Sequence, residues 1–450
     1  MILYLLFAYH LERSEFLKLL LLYAGLFFCA WKIIEHSKYN FWVLAGLGVG
    51  LRLLFLPVIP NLSQDFYRFL WDGRLLIQGV NPYLVTSELF FTDLPAALEV
   101  TSGKQVAQAT QLYKGMGSLN ASHYSNYPPI NQLCFAIAGL LSGKSIVGSV
   151  VVLRVLIILA DLGILYFGKR LLVAFNLPVK NIFWYFLNPF IIIELTGNLH
   201  FEGVMLFFVA ASLVALHKGK WFWAAILLGI SVSVKLLPLL LLPLFFKWFS
   251  TKHNTFWGSS STALRILKLL SFYTVTLATV VITFAPFLSA DFISNFSATI
   301  GLWFQNFEFN ASIYYIIRWI GFQVVGWNII GTVGKVLPLV VITIVLCLTF
   351  FRRNTTTQQL ITAMLFAVSA YFLLSTTVHP WYIATPLVLS VFTRYKFPIV
   401  WSFVVVLSYS AYGPEGFQEN LWLVALEYLL VVGIALYEIL AKKTSQVVYT

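Results

Sequence analysis

The chain has 450 residues, of which 60% are hydrophobic, 17% aromatic and only 10% charged, against about 25% charged in an ordinary soluble domain. That excludes a water-soluble globule, and ordinary glycine and proline counts (27 and 16) with three cysteines exclude collagen-like, disordered and disulfide-stapled chains. A net charge of +12 would suggest nucleic acid in a soluble protein; here it reads as a record of membrane orientation, and no nucleic-acid partner is expected.

Taken in order, the start MILYLLFAYHLERSE lacks a basic n-region and a small-residue cleavage site, so no removable signal peptide is expected. A bilayer core takes about 20 apolar residues as helix. Candidate segments fall at 16–34, 41–59, 147–168, 180–196, 203–217, 221–234, 236–249, 266–288, 332–351, 359–377, 381–393, 398–412 and 421–440. The expected fold is an all-α polytopic membrane protein of about 11–13 transmembrane helices, forming one membrane-embedded domain over 1–450. Cys29, Cys134 and Cys347 stand singly in apolar stretches and read as buried packing residues, with no metal cluster.

If the apolar stretch 128–141 dips in and returns, then Lys38, Lys169, Arg170, Lys180, Lys218, Lys220, Lys247, Lys252, Arg265, Lys268, Arg352, Arg353, Arg394, Lys396, Lys442 and Lys443 share one side. Those are 16 of the 29 cations, so that side is assigned to the cytoplasm and the amino terminus to the outside. The outer face then carries two long loops, 60–127 and 289–331. Loops of that length without structure of their own are usually functional or disordered. Neither looks disordered, because SQDFYRFLWDGRLLIQG is aromatic and helical in pattern and GLWFQNFEFNASIYYIIRWIGF is again aromatic. The first loop holds nine charges of mixed sign: Asp65, Arg68, Asp72, Arg74, Glu88, Asp93, Glu99, Lys104 and Lys114. The one low-complexity tract is the short cytoplasmic run NTFWGSSST.

In SQDFYRFLWDGR a helix sets Asp65, Arg68 and Asp72 along one stripe. QGVNPYL then ends the helix through Gly79 and Asn81-Pro82. One reading is an interfacial helix with ion pairs; the other is a general base at a membrane-surface pocket. Arg52 lies inside an apolar segment and Lys235 sits in SVSVKLLPLL, where a helix should break before Pro238. A cation at such depth needs an acid, a wet cavity or an anion such as a lipid phosphate; Asp161 and Glu194 are the available buried acids. Arg318, in SIYYIIRWIG, is a second phosphate candidate or an interfacial anchor. ELTGNLHFEG gathers Glu194, Asn198, His200 and Glu202 at a junction between apolar segments, and HPWY brings His379, Trp381 and Tyr382 to another. These groups suit hydrogen bonding to a polyol and stacking on a sugar ring, or helix capping and an aromatic belt. A His-x-Glu spacing alone does not specify a metal site. No Walker loop, GxSxG or HExxH occurs, which argues against ATP-driven transport and serine or zinc hydrolysis.

With those residues in place, the chain resembles the GT-C superfamily of multi-spanning glycosyltransferases that use polyprenyl-phosphate sugars. The likeness is nearest to bacterial mannosyltransferases and to those that build glycosylphosphatidylinositol anchors. It rests on DFYRFLWDGRLLIQGVNPY, NYPPINQ, NPFIIIELTGNLHFE, SVSVKLLP and HPWY, and runs from about Leu51 to Tyr382. The resemblance implies Asp65 as catalytic carboxylate with Asp72 as a second acid, and Lys235 and Arg318 as ligands of the donor phosphate; Arg52 joins them as a phosphate candidate from its depth in an apolar segment. The resemblance also matches the Tyr127-Pro128-Pro129 loop to a segment that closes the site, and the residue chemistry adds Arg68, Arg74, Tyr127, Asn198, His200, Glu202, His379, Trp381 and Tyr382 as candidate substrate contacts. Relatives often carry paired acids where this chain has Gln64-Asp65, so no metal ligand is assigned, and a divalent cation is the open alternative to having no cofactor. The expected activity is inverting transfer of a sugar, with mannose favoured, from a polyprenyl-phosphate donor to a glycan or lipid acceptor. The setting would be the outer face of a bacterial inner membrane, in contact with membrane lipid. The rival is a lipid-linked-sugar flippase that forms no bond.

Overall fold

The computed structural model of the chain describes residues 1–36, 40–91, 105–251 and 261–447, with side chains described to 441. Lys38, Asp93, Glu99, Lys104, Lys252, most of the NTFWGSSST run and the side chains of Lys442 and Lys443 lie outside the described residues. The fold is all-α. Among the described residues the strands amount to a two-residue hairpin, Tyr412–Gly413 against Gly416–Phe417.

Among the described residues six helices are long and apolar enough to cross a membrane: Phe16–His36, Ile146–Ala174, Thr262–Phe287, Ile330–Phe351, Thr357–Leu374 and Leu421–Ala441. A seventh crossing is available if Pro189–Gly197 and Glu202–His217, bent by 114° at their junction, count as one span. The expected 11–13 crossings are therefore reached only by adding shorter apolar helices such as Phe41–Leu53, Trp221–Val232 and Phe397–Ala411. A continuous apolar run on the page is compatible with a helix that stops early: 41–59 is helical only over Phe41–Leu53, and 236–249 opens with a 3-10 stretch, Leu237–Phe245. Cys134 is buried, but Cys29 and Cys347 are exposed on long apolar helices. In a membrane protein an apolar face can meet lipid, so apolar neighbours do not imply an interior.

Polar groups inside the bundle are turned inward and paired, as a low-dielectric interior requires. On Ile146–Ala174, Arg154 and Asp161 lie seven residues apart and both face the core. Arg154 donates to the carbonyls of Thr196 (2.7 Å), Gly197 (2.8 Å) and Leu56 (2.8 Å). It thereby satisfies the backbone where the helix through Pro189 gives way to the π-helical turn Ile192–Gly197. Asn198 follows, and its side-chain carbonyl accepts from the Leu62 amide at 3.1 Å. Asn61, next door, donates to the carbonyls of Phe7 (2.9 Å) and Leu11 (3.1 Å). One chain of hydrogen bonds thus fixes the amino-terminal hairpin, the start of the first loop and the break before Glu202 relative to one another.

The first loop folds as expected. Asp65–Leu76 is helical and ends through Gly79 at φ 73°, where a left-handed residue is needed, and the Asn81 side chain accepts from the Tyr83 amide at 3.0 Å. This helix lies against Pro129–Ser142 at backbone contact distance. A methyl group at position 73 would stand 2.2 Å from the Phe135 carbonyl oxygen, so glycine is required there. Phe69 stacks on Phe135 with centroids 4.6 Å apart. The second loop contains the helices Ala290–Gln305 and Ile313–Val325.

Candidate functional site

Asp65 begins its helix, where the aligned peptide dipoles favour a carboxylate. It is half-buried, and the Asn120 side chain hydrogen-bonds it. Burial raises its pKa from 3.8 to about 6, opposed by the charges of Arg13 and Lys235 and reinforced by Glu202. Asp65, Arg13, Lys235 and Glu202 therefore share one neighbourhood.

Lys235 arrives there because the Trp221–Val232 helix ends just before it, as its sequence suggests. Ile130 donates to the Ser233 carbonyl at 3.0 Å and Asn131 to the Val234 carbonyl at 2.8 Å. The NYPPINQ segment thus caps the end of the lysine's helix and brings Tyr127 beside it. Lys235 is 34% exposed; its ammonium pairs with the buried Glu202 carboxylate and lies 4.1 Å from the centre of the Tyr382 ring.

The HPWY junction faces the same neighbourhood. His200 stacks on Trp381 (3.6 Å) and Trp381 on His379 (4.5 Å), making a three-ring pile with Tyr382 edge-on to it. His379 is held neutral, its pKa pushed down to about 3 by burial and by Lys235 and Arg13. The segment is pinned by Phe309, whose amide donates to the Thr376 carbonyl at 3.1 Å and whose carbonyl accepts from Val378 at 2.8 Å. His200 Nε2, His379 Nδ1, Asn198 Nδ2 and Arg13 Nε are buried without a hydrogen-bond partner. Unpaired buried polar atoms are costly and rare, and here two of them belong to the histidines of the ring pile.

Other expected site residues are placed apart from Asp65 or are already occupied. Asp72 does not share the opening: it is fully buried, paired with Arg68 at 2.7 Å and accepting from Ser125 (2.5 Å) and Gln132 (3.0 Å). Arg68 in turn donates to the carbonyls of Asn120 (2.7 Å) and His123 (2.8 Å). The pair is a brace for the 120–132 segment. Arg74 is spent on the carbonyls of Ala107 and Lys144 and on Gln108. Arg52, expected at the donor phosphate, is wholly buried against Asp161 (2.8 Å) and the carbonyls of Gly48 and Phe186. Asp161 also accepts from the Tyr185 hydroxyl at 2.9 Å. Arg318 pairs with Glu308 and lies over Tyr315. Of the two buried acids available to cations, Glu194 takes a hydrogen bond from Tyr409 at 2.8 Å.

Among the described residues no three His, Cys, Asp or Glu side chains come together as a metal-holding set. Near Asp65, the other carboxylate, Glu202, is committed to Lys235.

Arg13 is the residue that the sequence reading passed over. Its guanidinium sits 3.2 Å above the centre of the Tyr412 ring. The signal was available: the same parity that puts Asp65 outside also puts the LERSE turn outside.

Residues 10–251 match the family model described as Alpha-(1->6)-mannopyranosyltransferase, N-terminal domain. The chain is 24% identical over 217 residues to Alpha-(1->6)-mannopyranosyltransferase A of Corynebacterium glutamicum, covering 46% of this chain and 40% of that protein. It is also 24% identical over 236 residues to Alpha-(1->6)-mannopyranosyltransferase A of Mycobacterium tuberculosis, covering 51% of this chain and 42% of that protein. The matched stretches span less than half the length of either relative. The family match includes Arg13, Asp65, Tyr127, His200, Glu202 and Lys235, and stops before the 289–331 loop and HPWY.

Proposed function

The chain belongs to the Alpha-(1->6)-mannopyranosyltransferase family, and from that premise we propose that it transfers mannose from a polyprenyl-phosphate donor to a glycan or lipid acceptor. The reaction takes place on the outer face of a bacterial inner membrane. The observation that carries this reading is the half-buried Asp65, whose carboxyl pKa is raised by burial within reach of the charges of Arg13 and Lys235.

At neutral pH a carboxyl group with a pKa near 6 is ionised yet more basic than free aspartate. Asp65 takes the proton of the acceptor hydroxyl as that oxygen bonds to the anomeric carbon. The bond from that carbon to the phosphate oxygen breaks, and polyprenyl phosphate leaves with the electron pair. Lys235, paired with Glu202, over the Tyr382 ring and 34% exposed, faces the developing phosphate charge. The His200–Trp381–His379 pile, with His200 and Trp381 buried, holds the junction that carries Glu202 against the HPWY segment, with Tyr382 at its edge as the aromatic available to a sugar. Direct displacement converts a β-linked donor to an α-linked product. Asp72 and Arg68 position the loop that closes over the site, and Arg52 serves the bundle.

The test is reconstitution in vesicles with radiolabelled polyprenyl-phosphate mannose and a panel of acceptors. The reading expects label in a glycosidic bond. Label that crosses between leaflets with no bond formed would establish the flippase instead.

A further inference from the structure

The cations of the described site differ in what already holds them. Lys235 pairs with Glu202, Arg68 with Asp72, Arg318 with Glu308 and Arg52 with Asp161. Among the described residues Arg13 has no carboxylate partner and no hydrogen bond; it rests on the Tyr412 ring, and its Nε is enclosed without an acceptor. The acid of its own turn, Glu15, is occupied by Lys18 at 2.8 Å and by the Glu12 amide at 2.9 Å.

Its placement is built. Asn61 ties the carbonyls of Phe7 and Leu11 to the first loop, four residues before Asp65, and the adjoining Leu62 amide binds Asn198. The turn carrying Arg13 is thus fixed both to the helix of the candidate base and to the junction that bears His200 and Glu202. Asp65, Glu194, His200, His379 and Tyr412 all feel its charge. Tyr412 holds the guanidinium flat from one side while leaving the edge of the fork to a ligand.

Charge bookkeeping points the same way. Asp65, Glu194 and Glu202 outnumber Lys235 in this neighbourhood, a poor host for a phosphodiester, and Arg13 offsets part of that acidic excess. A planar guanidinium also presents paired donors that match phosphate oxygens better than an ammonium does.

We propose that Arg13 is a second phosphate-binding residue of this site, gripping the donor's phosphodiester and then the departing polyprenyl phosphate alongside Lys235, whose ammonium is shared with Glu202. This rests on the transferase reading above and identifies a residue that anchors its donor.

The experiment measures binding of farnesyl phosphate and of farnesol to the purified wild-type chain and to Arg13→Ala, Arg13→Gln and Arg13→Lys. KM for donor and acceptor is measured in parallel. The wild type should prefer farnesyl phosphate to farnesol. Arg13→Ala and Arg13→Gln should each weaken farnesyl phosphate binding and raise donor KM by about tenfold or more, the scale of one charge-assisted contact. Acceptor KM and farnesol binding should stay as in wild type, and Arg13→Lys should keep most of the binding. Glutamine retains the packing over Tyr412, so loss with Gln and retention with Lys separates charge from a folding defect. Wild-type affinity for farnesyl phosphate in Arg13→Gln would overturn the role of Arg13 and leave the transferase reading standing. A wild type that does not distinguish farnesyl phosphate from farnesol would instead overturn the reading itself.

Discussion

Replacing Asp65 by asparagine should separate activity from stability in opposite directions. The side chain keeps its shape and its place at the head of the Asp65–Leu76 helix, but can no longer accept a proton. Loss of a general base lowers the rate by about 10²–10⁴-fold. Stability should move the other way. Burial lifts the carboxyl from 3.8 to about 6, so the fold prefers the protonated form, and the full shift corresponds to about 3 kcal/mol. Solvent access at a half-buried group reduces this to about 1 kcal/mol. For an acid whose folded pKa is raised, that stability is present below pH 4 and is lost as pH climbs through about 6. At pH 7.5 the wild type has lost it and Asp65→Asn has not, so the variant should melt on the order of one degree higher in detergent. At pH 4 the two should coincide. Wild-type transfer should fall below pH 6, roughly tenfold per pH unit, as the base becomes protonated. The assays are thermal unfolding and initial rates of mannosyl transfer across pH 4–8. An Asp65→Asn variant with wild-type turnover would refute the reasoning, as would one destabilised at pH 7.5.

Lys235→Ala strands the Glu202 carboxylate in a buried position, which should cost about 2 kcal/mol after allowing for the lysine's partial exposure. Adding Glu202→Gln should restore the melting temperature without restoring transfer, and a double variant as unstable as the single one would deny the pairing. Arg52→Met leaves Asp161 uncompensated in the bundle and should cost about 3–5 kcal/mol, with donor KM unchanged in the protein that folds; a well-folded variant with raised donor KM would put Arg52 back at the phosphate. Gly73→Ala forces the Asp65–Leu76 and Pro129–Ser142 helices apart, and should lower stability by about 1–3 kcal/mol and transfer with it, since both Asp65 and the Asp72–Gln132 contact ride on that packing. Unchanged melting and rate would mean that the close approach is not needed.

Composition made the membrane class legible, and local spacing made legible each break that carries chemistry: the end of the helix at Gly79, the gap before Pro238 and the junctions at Asn198 and His379. Those features are local, and glycine, proline and polar residues in apolar surroundings announce them. The number of crossings was not legible, because apolar runs continue through 3-10 stretches and bends that only packing decides. Nor were the partners of the charges. Asp65 and Asp72 share a helix face by sequence, but Arg68, Ser125 and Gln132 converge on one and leave the other open. Arg52 and Asp161 are 109 residues apart, and nothing local ties them. Parity put Arg13 on the same side as Asp65, but the contacts that place it, through Asn61, Leu62 and Tyr412, are distant in sequence.

The central claim is displacement at the anomeric carbon by an acceptor hydroxyl that Asp65 deprotonates. The most direct measurement is the anomeric configuration, by NMR, of the product formed from a β-linked polyprenyl-phosphate mannose. An α-linked mannoside is the predicted result; a β-linked one would require two displacements and contradict the account.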